Sequence, residues 1–165
     1  MLDIPAAATA VAATAATATA VPDPLKRDAA LWRPSAVAAW SLVFTPVFGS
    51  YLLMRNWQAL GQPQAAVAAR RWLRASLGVL ALELIAGAIN RRLNGGFPFM
   101  QWLALAWLGL WLLAAALPQW QLVRRRFGRA YARQEWNGAL ATAVAFGVLS
   151  WSAGGMLTWL LLAFT

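Results

Sequence analysis

The sequence predicts an all-α integral membrane protein: a bundle of four transmembrane helices joined by basic amphipathic helices. Three observations predict it. The apolar residues gather into four long runs, at about residues 36–54, 75–89, 100–117 and 139–164, and about 20 apolar helical residues cross a hydrocarbon core ~30 Å thick. Arginine and tryptophan frame those runs, as cationic and aromatic side chains do at membrane interfaces. The chain is 61% hydrophobic with a mean hydropathy of +0.56, well above the about 45–50% apolar content of soluble domains. Its 165 residues leave room for one domain.

Residues 1–30 form an Ala/Thr-rich tail of low complexity, interrupted by Pro5, Pro22 and Pro24, and are expected to be disordered. The transmembrane domain then occupies 31–165. Its first run follows Trp32-Arg33-Pro34, an interface anchor and a residue suited to start a helix. Pro46 lies inside this run and cannot donate to the carbonyl of Leu42, so a kink is expected near 42–45. Residues 58–74 carry Arg70, Arg71 and Arg74 and read as a short helix lying at the surface. The second run is the shortest, and Asn94-Gly95-Gly96-Phe97-Pro98 is a turn signal after it. The third is expected to stop at Pro118. Beyond it Trp120, Val123, Phe127 and Tyr131 recur at helical spacing among Arg124, Arg125, Arg126, Arg129 and Arg133. That pattern is a basic amphipathic helix, in plane or continuing a span into water, whose arginines anchor to lipid headgroups on the cytoplasmic side.

The joints 55–74 and 119–137 hold nine Lys and Arg, and the tail with 91–92 holds five: Lys26, Arg27, Arg33, Arg91 and Arg92. On four crossings this places both joints in the cytoplasm and both termini outside. The net charge of +9 would otherwise suggest nucleic acid as a partner. Arginines flanking apolar runs are accounted for by membrane threading and anionic lipid instead, so no nucleic-acid partner is expected.

Catalytic chemistry has little to draw on. There is no His and no Cys, and the acids are Asp3, Asp23, Asp28, Glu83 and Glu135. A hydrolytic triad or a zinc site lacks its usual ligands, and the one lysine, Lys26, belongs to no phosphate loop. Neither an enzyme nor a cofactor is expected. Glu83 is the one ionisable residue within a run, and a charge at mid-bilayer costs at least ~2.5–3.5 kcal/mol. On a helix it shares a face with Ser76, Gly87 and Asn90, and the first run offers Ser41, Thr45 and Gly49 at successive turns. Glu83, Asn90, Ser41 and Thr45 are therefore a candidate intramembrane polar site. The fourth run carries a helix-packing stripe at Gly147, Ser150 and Gly154, which should make it the most tightly packed helix. Trp107 and Trp111 lie deep and should fill volume against such small residues.

Three functions follow. The first is a non-catalytic partner in a membrane assembly, an accessory subunit or immunity protein, pairing with another membrane protein or with itself. The second is a small oligomeric transporter or channel using the seam around Glu83. The third is a lipid-binding or membrane-shaping protein using the basic helix.

Leu31-Trp32-Arg33-Pro34, then Trp40-Ser41-Leu42-Val43-Phe44-Thr45-Pro46-Val47-Phe48-Gly49-Ser50-Tyr51-Leu52, then Asn56-Trp57-Gln58-Ala59-Leu60-Gly61 resembles a signature of small uncharacterised bacterial inner-membrane proteins, some fused to soluble zinc-ribbon or GYF-type modules. The resemblance covers about thirty residues of the first span. It implies a bacterial inner-membrane location and a constrained first span. Modules preceding that span in relatives imply a cytoplasmic N-terminus, against the arginine count.

Overall fold

A computed structural model describes residues 30–93, 99–128 and 131–163. The expected disordered tail, the turn at 94–98 and Arg129 lie outside the described residues, apart from Ala30. The described chain is helical: α1 (Pro34–Ala59), α2 (Pro63–Arg92), α3 (Phe99–Trp111), a π-helical turn (Leu112–Ala116), α4 (Leu117–Phe127) and α5 (Asn137–Ala163). By length and composition, four helical stretches could each cross a membrane: Pro34–Ala59, Pro63–Arg92, Phe99–Phe127 and Asn137–Ala163.

The first of these does not run straight. Thr45 leaves the helical region altogether, at φ 80° and ψ 158°. Pro46 disfavours a helical residue before it, which accounts for the extended ψ. The consequence is far larger than a kink. Trp32 and Asn56 would stand about 36 Å apart along a straight helix, yet the Trp32 backbone N–H donates to Asn56 Oδ1 at 3.0 Å and Asn56 Nδ2 donates to the Trp32 carbonyl at 2.9 Å. Ser41 and Gly49, eight residues apart, touch: a Cβ on Gly49 would overlap the Ser41 hydroxyl. Helix α1 is therefore a hairpin of two arms, 34–44 and 46–59, rising about 16 and 21 Å. The expected kink near 42–45 is in place, and the expectation that the first span crosses like the others is corrected to three full-length helices and one hairpin that enters and leaves at the same end.

Helix α2 begins at Pro63, where the missing N–H costs nothing, and ends on Arg91 and Arg92, whose charge suits the negative end of the helix dipole. It runs unbroken through Arg70, Arg71 and Arg74, so no separate surface helix exists at 58–74 and the second span is not short. Pro118 likewise does not end the third span. The widened turn at 112–116 removes the clash a proline causes with the carbonyl one turn back, and the helix continues to Phe127. The basic segment is thus the extension of a span. Gly128 closes it at φ 58°, a conformation that favours glycine.

The core is built around the hairpin. Val37, Phe48, Leu52 and Leu53 of α1 enclose Trp111, with Ala69 of α2, Ala115 and Ala116 of the π turn, and Ala139 and Ala143 of α5. Helix α1 buries ten residues and α5 only three, Ala139, Ala143 and Gly154. The most tightly packed helix is therefore the first and not the fourth. Ser41, Ser50, Asn56, Ser76 and Gln119 are buried, while Leu77, Ile85, Trp102, Leu113, Val148, Trp151 and Trp159 are exposed. Polar groups lie inside and large apolar ones outside, the reverse of a protein folded for water.

Two ends result. At one, Leu31 exchanges backbone hydrogen bonds with the segment after α4, Leu31 N–H to the Ala132 carbonyl and Gln134 N–H to the Leu31 carbonyl, both 3.0 Å. At the other, the last turns of α5 (Thr158, Trp159, Leu162) flank Arg91 of α2. The entry at Leu31 and the exit at Ala163 therefore lie at opposite ends, which corrects the expectation that both termini share a side. Arg33, Arg55, Arg70, Arg71, Arg74, Arg124, Arg125, Arg126 and Arg133 stand in the half nearer Leu31, against Arg91 and Arg92 in the other half.

Candidate functional site

The arginine-rich end is held together by a small set of buried amides. Asn56, fully buried, bonds the Trp32 backbone on both sides and also donates to Gln119 Oε1 at 3.1 Å, while Gln119 Nε2 donates to the Leu53 carbonyl at 3.0 Å. Both amides are thereby satisfied where water cannot reach them, and they tie the entry of α1, its second arm and α4 into one body. The second arm ends in a Schellman cap. Gln62 N–H reaches the Trp57 carbonyl and Gly61 N–H the Gln58 carbonyl, with Gly61 at φ 71°. Leu31, Leu60 and Val123 pack beneath it.

This scaffold leaves an open cavity of about 740 Å³ between the start of α1 and the α4 extension. Arg33, Arg124 and Arg133 line it with Ser35, Trp120 and Tyr131. The Arg124 guanidinium stands 5.2 Å from the Trp120 ring centroid, a cation–π contact that fixes its direction. Among the described residues none of the three arginines is in an ion pair. Pro34 and Ser35 also bring the first turn of α1 to the wall, where the positive end of the helix dipole favours an anion, while the Ala36 and Val37 N–H groups donate to the Arg33 carbonyl. Volume and lining suit an anionic group carried on a partly apolar body. Of the sequence-predicted headgroup anchors, Arg124 and Arg133 come together here and Arg125 and Arg126 are exposed elsewhere on the extension.

The polar residues expected around Glu83 divide. Glu83, Ser41 and Thr45 line one groove of about 230 Å³ at the hairpin tip, with Ser76 and Trp107. Asn90 lies outside it, two turns further along α2, with its side-chain oxygen buried and unpartnered. In the stripe on α5, Gly154 is buried against Leu84, whereas Gly147 is exposed with open space where a Cβ would stand. Ser150 spends its hydroxyl on the Phe146 carbonyl. Trp111 fills volume against a small residue, but on α1 and not on α5. A Cβ on Gly49 would meet its ring at 2.5 and 2.6 Å, and its N–H donates to Ser50 Oγ at 2.7 Å.

Sequence reasoning missed Asn56, Gln119 and the convergence of Arg33 with Arg124 and Arg133. Gln119 was the one available signal, an uncharged amide directly after an apolar run. No protein-family model, curated protein or solved structure matches this chain.

Proposed function

We propose that the chain is a multi-pass protein of the bacterial inner membrane that holds a phosphate-bearing lipid headgroup in the basic cavity at its cytoplasmic end. The observation that carries this reading is the convergence of three guanidinium groups, none in an ion pair among the described residues, on a cavity walled by tryptophan and tyrosine. Arginine forks match phosphate oxygens in pairs, and the amphipathic rings belong where headgroups meet acyl chains. Three crossings and a hairpin put nine described arginines on one side against two on the other, a stronger bias than four crossings allow, and the positive-inside rule then makes that side cytoplasmic. Neither hairpin arm reaches across a ~30 Å core, so the hairpin is re-entrant, packed chiefly along α2 with Leu42 and Val43 at its tip facing outward.

The test is native mass spectrometry of protein released from nanodiscs containing phosphatidylglycerol or phosphatidylcholine. The wild type should retain the anionic lipid, and the Arg124→Ala/Arg133→Ala double variant should lose most of it, by about tenfold or more. Arg91→Ala, at the opposite end, should retain it. Displacement by inorganic phosphate would identify a free anion as the ligand. Equal retention by the double variant would refute the reading.

A second reading is a non-catalytic partner protein, accessory or immunity, pairing through α5 with another membrane protein or a second copy. The open notch at Gly147, between exposed Val144, Val148 and Trp151, favours it. A stoichiometric companion in gently solubilised membranes, lost on Gly147→Leu, would select it.

A further inference from the structure

The groove at the hairpin tip shares no lining residue with the basic cavity. It is formed where the broken helix α1 meets the middle of α2 and α3, and its one ionisable side chain is Glu83. Three features set its chemistry. First, the break at Thr45 places a β-branched residue at positive φ, a costly conformation that persists only where surroundings enforce it. That conformation leaves the Thr45 hydroxyl buried without a hydrogen-bond partner. Second, Trp107 is fixed in the groove wall, toward the Ser76 side of α2. Its N–H donates to Ser76 Oγ at 3.2 Å and its ring leans on Trp72 with centroids 5.5 Å apart. Third, the rest of the lining is apolar, including Val79, Leu80, Leu105 and Leu108.

We propose that this groove binds a small monovalent organic cation of aralkylammonium type. Its charge would lie against Glu83 and Thr45 and its apolar body against the leucines and Trp107. The alternative of a bare metal ion is disfavoured by the oxygen count. Hard divalent cations take six or more oxygens, and the side chains of Ser41, Thr45, Ser76 and Glu83 together hold fewer. Glu83 and Thr45 supply too few oxygens alone. An organic cation needs one counter-charge, one acceptor and an aromatic or apolar wall, and all three are present. In a low-dielectric surrounding a single such pair is worth far more than in water.

Isothermal titration of purified protein in detergent with phenethylammonium tests this, with 2-phenylethanol as the uncharged counterpart of the same shape. The wild type should bind the cation saturably and the alcohol more than about tenfold less tightly. Glu83→Gln, which keeps shape and removes charge, should weaken the cation by a similar factor and leave the alcohol unchanged. Thr45→Val should weaken the cation less. Val79→Phe fills the groove with Glu83 intact and should abolish binding of both, which keeps the test decisive if Glu83→Gln fails to fold. No binding by the wild type, equal binding of cation and alcohol, or binding unchanged in Glu83→Gln or Val79→Phe would each overturn the proposal.

Discussion

At the residue scale, Gly49 is tightly constrained. It stands where the two arms of α1 meet, and a methyl group there would overlap both the Ser41 hydroxyl and the Trp111 ring. Trp111 cannot retreat, because it is fully buried and its N–H is committed to Ser50. Gly49→Ala should therefore lower stability in detergent by about 2 kcal/mol through overpacking, read as a fall in the thermal midpoint. Gly147→Ala, whose added methyl meets open space, should leave the midpoint level or raise it through better helix propensity. Equal shifts in the two variants would contradict this geometry.

At the scale of the element, the hairpin stores its cost at one residue. Thr45 at φ 80° sits in a region that only glycine adopts freely, at a price of order 1–3 kcal/mol for other residues. Thr45→Gly removes that strain but gains freedom in the unfolded chain, worth about 0.5–1 kcal/mol against it. A net stabilisation of about 1 kcal/mol is expected, visible as a raised thermal midpoint. A straightened α1 would instead give a destabilised variant, because Trp32 would be pulled from Asn56. The polar clasp at the hairpin mouth makes the arms cooperative: Asn56 closes them and Gln119 joins them to α4. The Leu31 bridge to the 132–134 segment adds the next layer.

At the scale of the molecule, the hairpin sets the threading parity. The Leu31 and Gln134 segments lie at one end of the bundle and Leu93 at the other, so crossing by the three long helices would put them on opposite sides of a membrane. Single-cysteine labelling tests this cleanly, since the native chain has no cysteine. In intact spheroplasts an impermeant maleimide should label Leu93→Cys and leave Ser35→Cys and Gln134→Cys unmodified until the cells are opened. Labelling of Ser35→Cys and Gln134→Cys from opposite sides would restore a straight first span and refute the hairpin. Labelling of both from outside would keep the hairpin and invert the orientation.

Much of this could be read from the residues in order. Long apolar runs with arginine at their joints determine helices long and apolar enough to cross once the flanking turns are added, because each helix satisfies its own backbone. Pro46 determines a break in α1 for the same local reason: a missing N–H and a steric clash. The size of that break was not legible. A proline fixes where a helix fails, while the angle it takes depends on what the arms find to bond, here Asn56 with Trp32 and Gly49 with Ser41, pairs 24 and 8 residues apart. The same distinction governs the candidate sites. Glu83 stood out by its cost in an apolar run, but its grouping with Ser41 and Thr45 and not with Asn90 was decided by how far the hairpin tip descends. Arg33 looked like an entry anchor, and only the fold brought it to Arg124 and Arg133. Local chemistry determined which segments are helical and apolar; long-range polar contacts, invisible to periodicity, decided how many of those segments run the length of the bundle.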